Sequence, residues 1–265
     1  MYATNYSKAT SLDDAVAKLA AAEDGKLLGG GQTLIATMKQ RLAAPSDVID
    51  VTKIPDLQGI TVDGSTVIIG AASTHAAVAA SADVQRTIPA LAGLAGMIGD
   101  PAVRNMGTIG GVLANNDPSA DYPAAVLGLN ATVHTSKGQY SADDYFRGMF
   151  ETALDEDEII TEVAFPIPQK AAYEKFKNQA SRYSLCSVFV AQLADGSVRV
   201  AVTGSGADGV FRVPEMEAAL SSNWSAGAVS GIGVAADKML SDMHGSSEYR
   251  AHLVPVLAGR AVASA

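Results

Sequence analysis

The sequence predicts an α+β fold in two parts, and three observations lead to that prediction. Short apolar runs alternate with segments of helical periodicity over the first 165 residues, which indicates strands and helices mixed along the chain. Pro166 and Pro168 interrupt this pattern, because proline continues neither a strand ladder nor a helix. The charge balance changes at the same place, from 10 Lys/Arg and 20 Asp/Glu in residues 1–165 to 9 and 8 in residues 166–265. We therefore expect one domain over 1–166 and a second over 171–265, the second built on a three-stranded antiparallel sheet.

Composition excludes several classes of function. The chain has 265 residues, of which 48% are hydrophobic, and its net charge of −9 argues against nucleic acid or an anionic membrane as a partner. A single cysteine, Cys186, excludes an internal disulfide and cannot hold an iron–sulfur cluster. The four histidines show no metal-ligand spacing. The start lacks the apolar core of a signal peptide, and no run approaches the length of about eighteen apolar residues typical of a membrane helix. We expect a cytoplasmic protein with no integral membrane segment.

The first elements form a compact β-α-β unit after an initial helix. Ser11 followed by Asp14 is typical of a capped helix start, and Leu12, Val16 and Leu19 supply an apolar stripe. Residues 26–28 and 48–51 are predicted as strands on either side of a second helix.

A hairpin, two helices and a loop follow. Residues 59–62 and 67–69 are predicted to pair about a turn at Asp63-Gly64. Alanine-rich segments near 75–82 and 89–98 are predicted to be helical. The stretch 100–121 is so rich in Gly, Asn, Asp and Pro that we expect a binding loop rather than a packed helix. The remaining predicted strands of this part cover 131–134, a segment after the turn at 136–139, and 158–165.

The C-terminal part has fewer and longer segments. Residues 173–177, 186–193 and 198–204 are predicted as its three strands, the last two turning at Asp195-Gly196. Helices are predicted near 213–221, 225–239 and 247–262.

Two glycine-rich loops are the candidate binding elements. Gly29-Gly30-Gly31-Gln32-Thr33 lies between a predicted strand and a predicted helix, an arrangement that directs N–H groups and the positive helix end toward a phosphate. Thr108-Ile109-Gly110-Gly111 lets backbone N–H groups approach a ligand closely, and Asp117 and Asp121 follow as acceptors for ligand hydroxyls. Neither loop has the phosphate-loop Gly-Lys-Ser/Thr or the Gly-x-Gly-x-x-Gly of the common dinucleotide fold. Taken alone, each loop is equally well explained as a tight turn that requires positive φ.

Together the loops resemble the FAD-binding medium subunit of the molybdenum hydroxylases, the family of xanthine dehydrogenase and carbon monoxide dehydrogenase. The motifs that carry the resemblance, in chain order, are Gly29-Gly30-Gly31-Gln32-Thr33-Leu34, Met38-Lys39-Gln40-Arg41-Leu42, Asp100-Pro101-Ala102-Val103-Arg104-Asn105-Met106-Gly107-Thr108-Ile109-Gly110-Gly111, Asp117-Pro118-Ser119-Ala120-Asp121-Tyr122-Pro123-Ala124 and Ala172-Tyr173-Glu174-Lys175-Phe176. They extend over nearly the whole chain.

The resemblance implies fold, cofactor and partners. It implies a two-part FAD-binding domain of the PCMH/vanillyl-alcohol-oxidase-like type, followed by a small C-terminal domain of the carbon monoxide dehydrogenase flavoprotein type. It also implies noncovalent FAD that receives electrons from two-iron two-sulfur clusters and passes them to an external acceptor. Those clusters and the molybdopterin would lie on a small and a large partner subunit, in a dimer of heterotrimers. Substrate oxidation would occur on the molybdenum subunit, so no catalytic residue and no metal ligand is predicted here.

Sixteen residues are predicted to bind the cofactor. They are Gly29, Gly30, Gly31, Gln32, Thr33, Thr108, Ile109, Gly110, Gly111, Asn115, Asp117, Ser119, Asp121, Ile160, Lys177 and Tyr183. The backbone amides of both glycine loops are expected to bind the pyrophosphate. Asp121 is expected to accept from a cofactor hydroxyl or polar ring edge. By the resemblance, Tyr183 would lie beside the flavin, and Lys177 would favour its reduced, anionic form.

For several of these residues, an explanation that involves no cofactor remains open. Tyr183 is equally well explained as a surface or packing aromatic, and an exposed lysine is more common than one beside a cofactor. His75 is predicted to cap or pack near a helix start. The carboxylates at 155–158 are expected to form a solvated turn, and their separation in sequence from the glycine loops argues against acid–base chemistry. A stand-alone flavin-dependent oxidoreductase or a flavin-binding module remains the alternative function.

Overall fold

The computed structural model describes residues 1–265 as a mixed helix and sheet protein. Its strands are β1 Asn5–Lys8, β2 Gly25–Leu28, β3 Asp47–Asp50, β4 Ile60–Asp63, β5 Thr66–Gly70, β6 Thr132–Thr135, β7 Gln139–Ser141, β8 Phe146–Gly148, β9 Glu151–Thr152, β10 Ile160–Pro166, β11 Lys170–Lys177, β12 Ser184–Gln192, β13 Val198–Thr203 and β14 Phe211–Arg212. Its helices are α1 Leu12–Ala21, α2 Leu34–Lys39, α3 His75–Ala80, α4 Ala82–Thr87, α5 Pro89–Gly96, α6 Pro101–Met106, α7 Ile109–Asn115, α8 Tyr122–Gly128, α9 Ala142–Tyr145, α10 Pro214–Ser222, α11 Ala226–Val229 and α12 Ser247–Ser264. None of these helices is both long enough and apolar enough to cross a lipid bilayer.

The N-terminal sheet has three parallel strands in the order β1-β3-β2. The capped start of α1 is confirmed, since the Ser11 side chain accepts from the N–H of Asp14. The strand-loop-helix-strand order of β2, α2 and β3 is confirmed as well. Strand β1 was not predicted, because Asn-Tyr-Ser-Lys has no apolar alternation and forms a largely exposed edge.

The second sheet has five strands in the order β4-β5-β10-β6-β7, and every pair in it is antiparallel. The predicted hairpin turn at Asp63-Gly64 is confirmed, and Gly64 has the positive φ of 56° that such a turn requires. Strand β10 runs through the centre of this sheet, so its first residues and the two before it, 158–159, lie next to the corner that follows β5.

The stretch 100–121 is not a loop, and the prediction there is wrong. It contains α6 and α7, two short helices joined at Gly107. Asp100 caps α6 by accepting from the N–H of Val103, and Thr108 caps α7 by accepting from the N–H of Gly111. Side-chain caps compensate for the poor helix formers, because they satisfy N–H groups that a helix leaves free at its start. The helix predicted over 225–239 is also shorter than expected, comprising α11 and a single 3-10 turn at Ala236–Lys238.

The C-terminal sheet has four antiparallel strands, β11-β12-β13-β14, rather than the three predicted. The three long strands are confirmed, and the fourth consists of two residues paired with Ala201 and Val202. Strand β12 is buried on both faces: Phe189 and Ala191 belong to the larger core, whereas Val188 and Val190 pack under α12 and α10. Its apolar run is therefore continuous rather than alternating.

The two predicted parts share the largest of three core clusters. The largest cluster of buried apolar residues contains β5, β10 and α8 residues of the first part, and also Tyr173, Phe189 and Ala201 of the second. The boundary at 166–171 stays a prediction; it lies between the end of β10 at Pro166 and the start of β11 at Lys170. Because the core continues across it, the C-terminal sheet forms a wall of the same interior.

Candidate functional site

A single large cavity, with a volume of about 1150 Å³, lies between the two glycine loops and reaches the C-terminal sheet. Its walls are both glycine loops, the corner at 98–100, the segment 114–121, the hairpin and turn at 150–160, Lys175 of β11 and the turn at 180–183. The volume exceeds the usual range of about 300–1,000 Å³ for small-molecule pockets, so a ligand larger than a single nucleotide fits.

The first glycine loop presents an uninterrupted row of free donors. The backbone N–H groups of residues 29–34 donate to no backbone or side-chain acceptor of the protein. Gly29, Gly30 and Gly31 are only partly exposed, and all of residues 29–34 line the cavity. Partly buried N–H groups without acceptors are costly, so a ligand with several strong acceptor oxygens is the expected complement. Gly31 has φ +72°, which explains why a glycine stands at that position.

The second loop contributes differently from what was predicted. The N–H of Ile109 donates to the Ser73 carbonyl at 3.1 Å, and that of Gly110 donates to the Ala71 carbonyl at 2.9 Å. The N–H of Gly111 donates to the Thr108 hydroxyl of its own cap. Of the four amides at 108–111, only that of Thr108 therefore stays free of a protein acceptor. This loop serves mainly as a wall, and the first loop supplies most of the donors.

Glycines allow the two loops to approach each other. A Cβ at Gly30 would overlap the carbonyl of Met106, and one at Gly29 would lie 2.8 Å from the Thr108 hydroxyl. Gly110 allows a different approach, to the segment after β5, since a Cβ at Gly110 would lie 2.7 Å from the Cβ of Ala71. None of these three glycines has positive φ. Close packing, rather than a left-handed backbone, is therefore what requires glycine at 29, 30 and 110.

Fourteen of the sixteen predicted residues line the cavity: Gly29, Gly30, Gly31, Gln32, Thr33, Thr108, Gly110, Gly111, Asn115, Asp117, Ser119, Asp121, Ile160 and Tyr183. Their common location is a structural fact, while their contact with a cofactor stays a prediction. The structure excludes Ile109 and Lys177 from the cavity wall. Ile109 is fully buried in the larger core. Lys177 is exposed, because a register shift between Phe176 and Lys177 breaks the alternation of β11.

Asp121 is already engaged by the C-terminal sheet. Its carboxylate accepts from the Tyr173 hydroxyl and lies 2.9 Å from Nζ of Lys175. The side chains of Lys175 and Asp121 are 2% and 5% exposed. Burial raises the pKa of the Asp121 carboxyl, and the Lys175 ammonium and the Tyr173 hydroxyl act against that rise. Lys175, which the sequence pattern did not single out, is thus the lysine of β11 that reaches the cavity.

His75, which lines the cavity, forms a buried aromatic pair with Tyr122. Their ring centroids are 5.5 Å apart, and neither Nδ1 of His75 nor the Tyr122 hydroxyl has a hydrogen-bond partner. Burial, with a smaller contribution from the charge of Arg104, lowers the pKa of His75 to about 4. The histidine is therefore neutral at pH 7. The prediction that it packs at a helix start is confirmed, since it is the first residue of α3.

The acidic run at 155–158 is not simply a solvated turn. Asp155, Glu156 and Glu158 line the cavity, and Glu158 is buried. Glu158 accepts from the Tyr140 hydroxyl at 2.8 Å and from the Thr135 hydroxyl. The run lies far from the glycine loops in sequence, but the pairing of β10 with β5 brings it to the same cavity.

Aromatic side chains lie at the edge of the cavity. Tyr183 is 60% exposed, and Phe150 is 57% exposed. Two cavity residues, Phe150 and Arg182, have φ near +60°, a conformation that costs free energy in residues other than glycine. Strained backbone at a cavity edge is common at binding sites.

Comparison with known proteins identifies the class of site. A family model described as the FAD binding domain in molybdopterin dehydrogenase matches residues 2–168. The chain is 37% identical to the nicotine 6-hydroxylase medium subunit of Paenarthrobacter nicotinovorans over 276 residues, which covers 99% of this chain and 97% of that protein. It is 37% identical to the carbon monoxide dehydrogenase medium chain of Hydrogenophaga pseudoflava over 210 residues, 75% of this chain and 73% of the relative.

Solved structures agree over the full length. The cyanide-inactivated form of a Cu,Mo-CO dehydrogenase contains a chain with a TM-score of 0.88 and 31% identity, covering 99% of this chain and 98% of that chain. Quinoline 2-oxidoreductase from Pseudomonas putida 86 contains one with a TM-score of 0.88 and 26% identity, covering 99% and 96%.

Proposed function

The chain belongs to the family of the FAD binding domain in molybdopterin dehydrogenase, and on this premise we propose that it is the FAD-carrying electron-transfer subunit of a molybdenum-containing hydroxylase. The row of free N–H groups at residues 29–34 is the observation that best supports the proposal. It supplies donors for a pyrophosphate without any lysine, as expected where a helix start binds a phosphate group.

The residues present fit FAD in size and chemistry. The cavity exceeds the range for small ligands, and its wall combines the donor row with an apolar patch that includes Leu27, Val51 and Ala72. Asn115 and Ser119 add polar side chains suited to ligand hydroxyls. The apolar patch suits a flat aromatic ring, whereas the donor row suits a diphosphate.

The protein and the cofactor divide the work. Bound FAD supplies the redox chemistry, because a flavin takes electrons singly from an iron–sulfur cluster and releases them in pairs. The first glycine loop would bind and orient the pyrophosphate through its N–H groups. Gly29 and Gly30 would hold the two loops close enough to exclude water from that contact. Tyr183, exposed at the cavity edge, would shield one side of the bound ring.

The partners follow from the same proposal. Relatives matched over 73% to 97% of their own length are named as medium subunits or medium chains of nicotine 6-hydroxylase, carbon monoxide dehydrogenase and glyceraldehyde dehydrogenase. We infer that this chain assembles with an iron–sulfur subunit and a molybdopterin subunit, in a dimer of heterotrimers, and that it works in the cytoplasm. Substrate oxidation would take place on the molybdopterin subunit.

Co-purification tests the assembly. The tagged chain should be expressed with its neighbouring genes and assayed for FAD, iron and molybdenum; all three are expected in one complex. Expression of the tagged chain alone is the control, and it should retain FAD but no metal. A metal-free chain that oxidises a small molecule by itself would contradict the proposal.

A further inference from the structure

One buried ion pair adjoins the cavity and belongs to both parts of the fold. Strand β11 directs Tyr173 and Lys175, two residues apart, to the same face and toward the start of α8. There Tyr173 donates to Asp121, and Nζ of Lys175 lies 2.9 Å from the same carboxylate. The Lys175 ammonium also donates to the Met97 carbonyl at 3.2 Å. Three chain segments that line the cavity thus meet at one ammonium group.

Stability alone does not account for such a pair. Removing two charges from water costs several kcal/mol, and well-packed apolar side chains in their place are often as stable or more so. The pair does adjoin the cavity, since Asp121 and Lys175 both line it. Its contact with Met97 adjoins the corner at 98–100, where Gly99 has φ +48° and also lines the cavity.

We propose that Lys175 is a positioning residue for the FAD site. It acts through Asp121, keeping that carboxylate ionised and oriented at the cavity wall, and it fixes the 97–100 corner by the same ammonium group. The C-terminal part is then a functional component of the cofactor site rather than an appended domain. This inference rests on the proposed FAD function and adds to it the residue that organises the cavity wall at Asp121.

A neighbouring lysine of β11 is the alternative candidate for this positioning role. Lys177 is two residues further along β11, but the register shift before it turns its side chain to solvent. The same charge deletion can therefore be made inside and outside the site. Lys175→Met and Lys177→Met remove equal charge and similar length from one strand.

The test measures FAD affinity of the full-length chain by fluorescence quenching between pH 5.5 and 9. Wild type should bind FAD with an affinity that changes little with pH. Lys175→Met should bind at least about tenfold more weakly at pH 6.5, the value of one charge-assisted hydrogen bond, and should recover affinity as pH rises. Recovery is expected because burial raises the pKa of the Asp121 carboxyl and the Lys175 ammonium opposes that rise, so without the ammonium the carboxyl ionises only at a higher pH than in wild type. Lys177→Met should bind as wild type does.

A double variant separates positioning from general damage to the fold. Asp121→Asn with Lys175→Met has no carboxylate to titrate, so its FAD affinity should be weak and independent of pH. The proposal is overturned if Lys175→Met binds FAD normally, if its loss is the same at every pH, or if Lys177→Met causes an equal loss. A wild-type chain that binds no FAD would instead overturn the proposed function.

Discussion

Two adjacent glycines in α7 should respond in opposite ways to the same methyl group. Gly110 is buried and its N–H donates to Ala71, whereas Gly111 is exposed and lines the cavity. A Cβ at Gly110 would lie 2.7 Å from the Ala71 Cβ and 2.8 Å from the Ala71 carbonyl oxygen. A Cβ at Gly111 would meet only the Thr108 hydroxyl, at 3.1 Å.

The contacts set the expected magnitudes. Gly110→Ala overpacks a rigid contact with backbone, at a cost of about 1–3 kcal/mol, from which a helical preference of up to about 1 kcal/mol subtracts. Gly111→Ala gains the same helical term, and its one close contact is with the Thr108 side chain, which has to shift by a few tenths of an ångström. The FAD-free chain should therefore be destabilised less than by Gly110→Ala. The methyl group of Gly111→Ala would occupy open space at the cavity wall, since Gly111 is exposed and lines the cavity and no atom of the first loop lies within 4 Å of that methyl group. We expect FAD affinity to fall about tenfold or more, or at least about 1.4 kcal/mol.

Thermal unfolding of the FAD-free chain and FAD titration should be measured on the same preparations. Each kcal/mol shifts the melting temperature by about 2–4 °C in a chain of this size. Gly138→Ala is the matched control, since a Cβ there meets nothing within 4 Å. Full FAD affinity in Gly111→Ala would refute the assignment of this part of the cavity to the cofactor. A lower melting temperature for Gly111→Ala than for Gly110→Ala would refute the packing argument.

Three further predictions concern stability and cofactor attachment. Arg250→Met should destabilise the chain by about 1–3 kcal/mol, because it leaves the buried Leu185 and Gly204 carbonyls without their donor. Arg260→Met, at an exposed position of the same helix, is the control and should not destabilise the chain. Equal urea midpoints for the two variants would contradict this prediction. The pKa of His75 is lowered to about 4, so the folded state binds fewer protons than the unfolded state between that pH and about 6.5. The free energy of unfolding should therefore fall as pH falls through this window, by up to about 3 kcal/mol. In urea unfolding at pH 7.5 and 4.5, His75→Phe should lose less stability on acidification than wild type, and parallel losses would refute the assignment. Acid precipitation should release the yellow colour to the supernatant, since we expect noncovalent FAD; colour in the pellet would contradict it.

Sequence patterns that depend only on neighbouring residues predicted much of the fold. The cap at Ser11, the hairpin turn at Asp63-Gly64 and the long apolar run of β12 were predicted because each depends on residues close in sequence. The resemblance of the glycine loops also predicted the family correctly. The helices α6 and α7 were missed because composition understates what Asp100 and Thr108 contribute as caps.

The sequence by itself determined the family, the cofactor class and fourteen of the 44 residues that line the cavity, because motif order and local periodicity record these directly. Only the tertiary structure decided which of those groups are free to bind. The second glycine loop donates two of its amides to Ala71 and Ser73, more than thirty residues away, so the donor row lies on the first loop. Strand β11 has lysines at both 175 and 177, and only the register shift directs the first inward and the second to solvent. A donor's partner and a strand's register depend on segments distant in sequence, and a pattern of residues along one chain does not contain them.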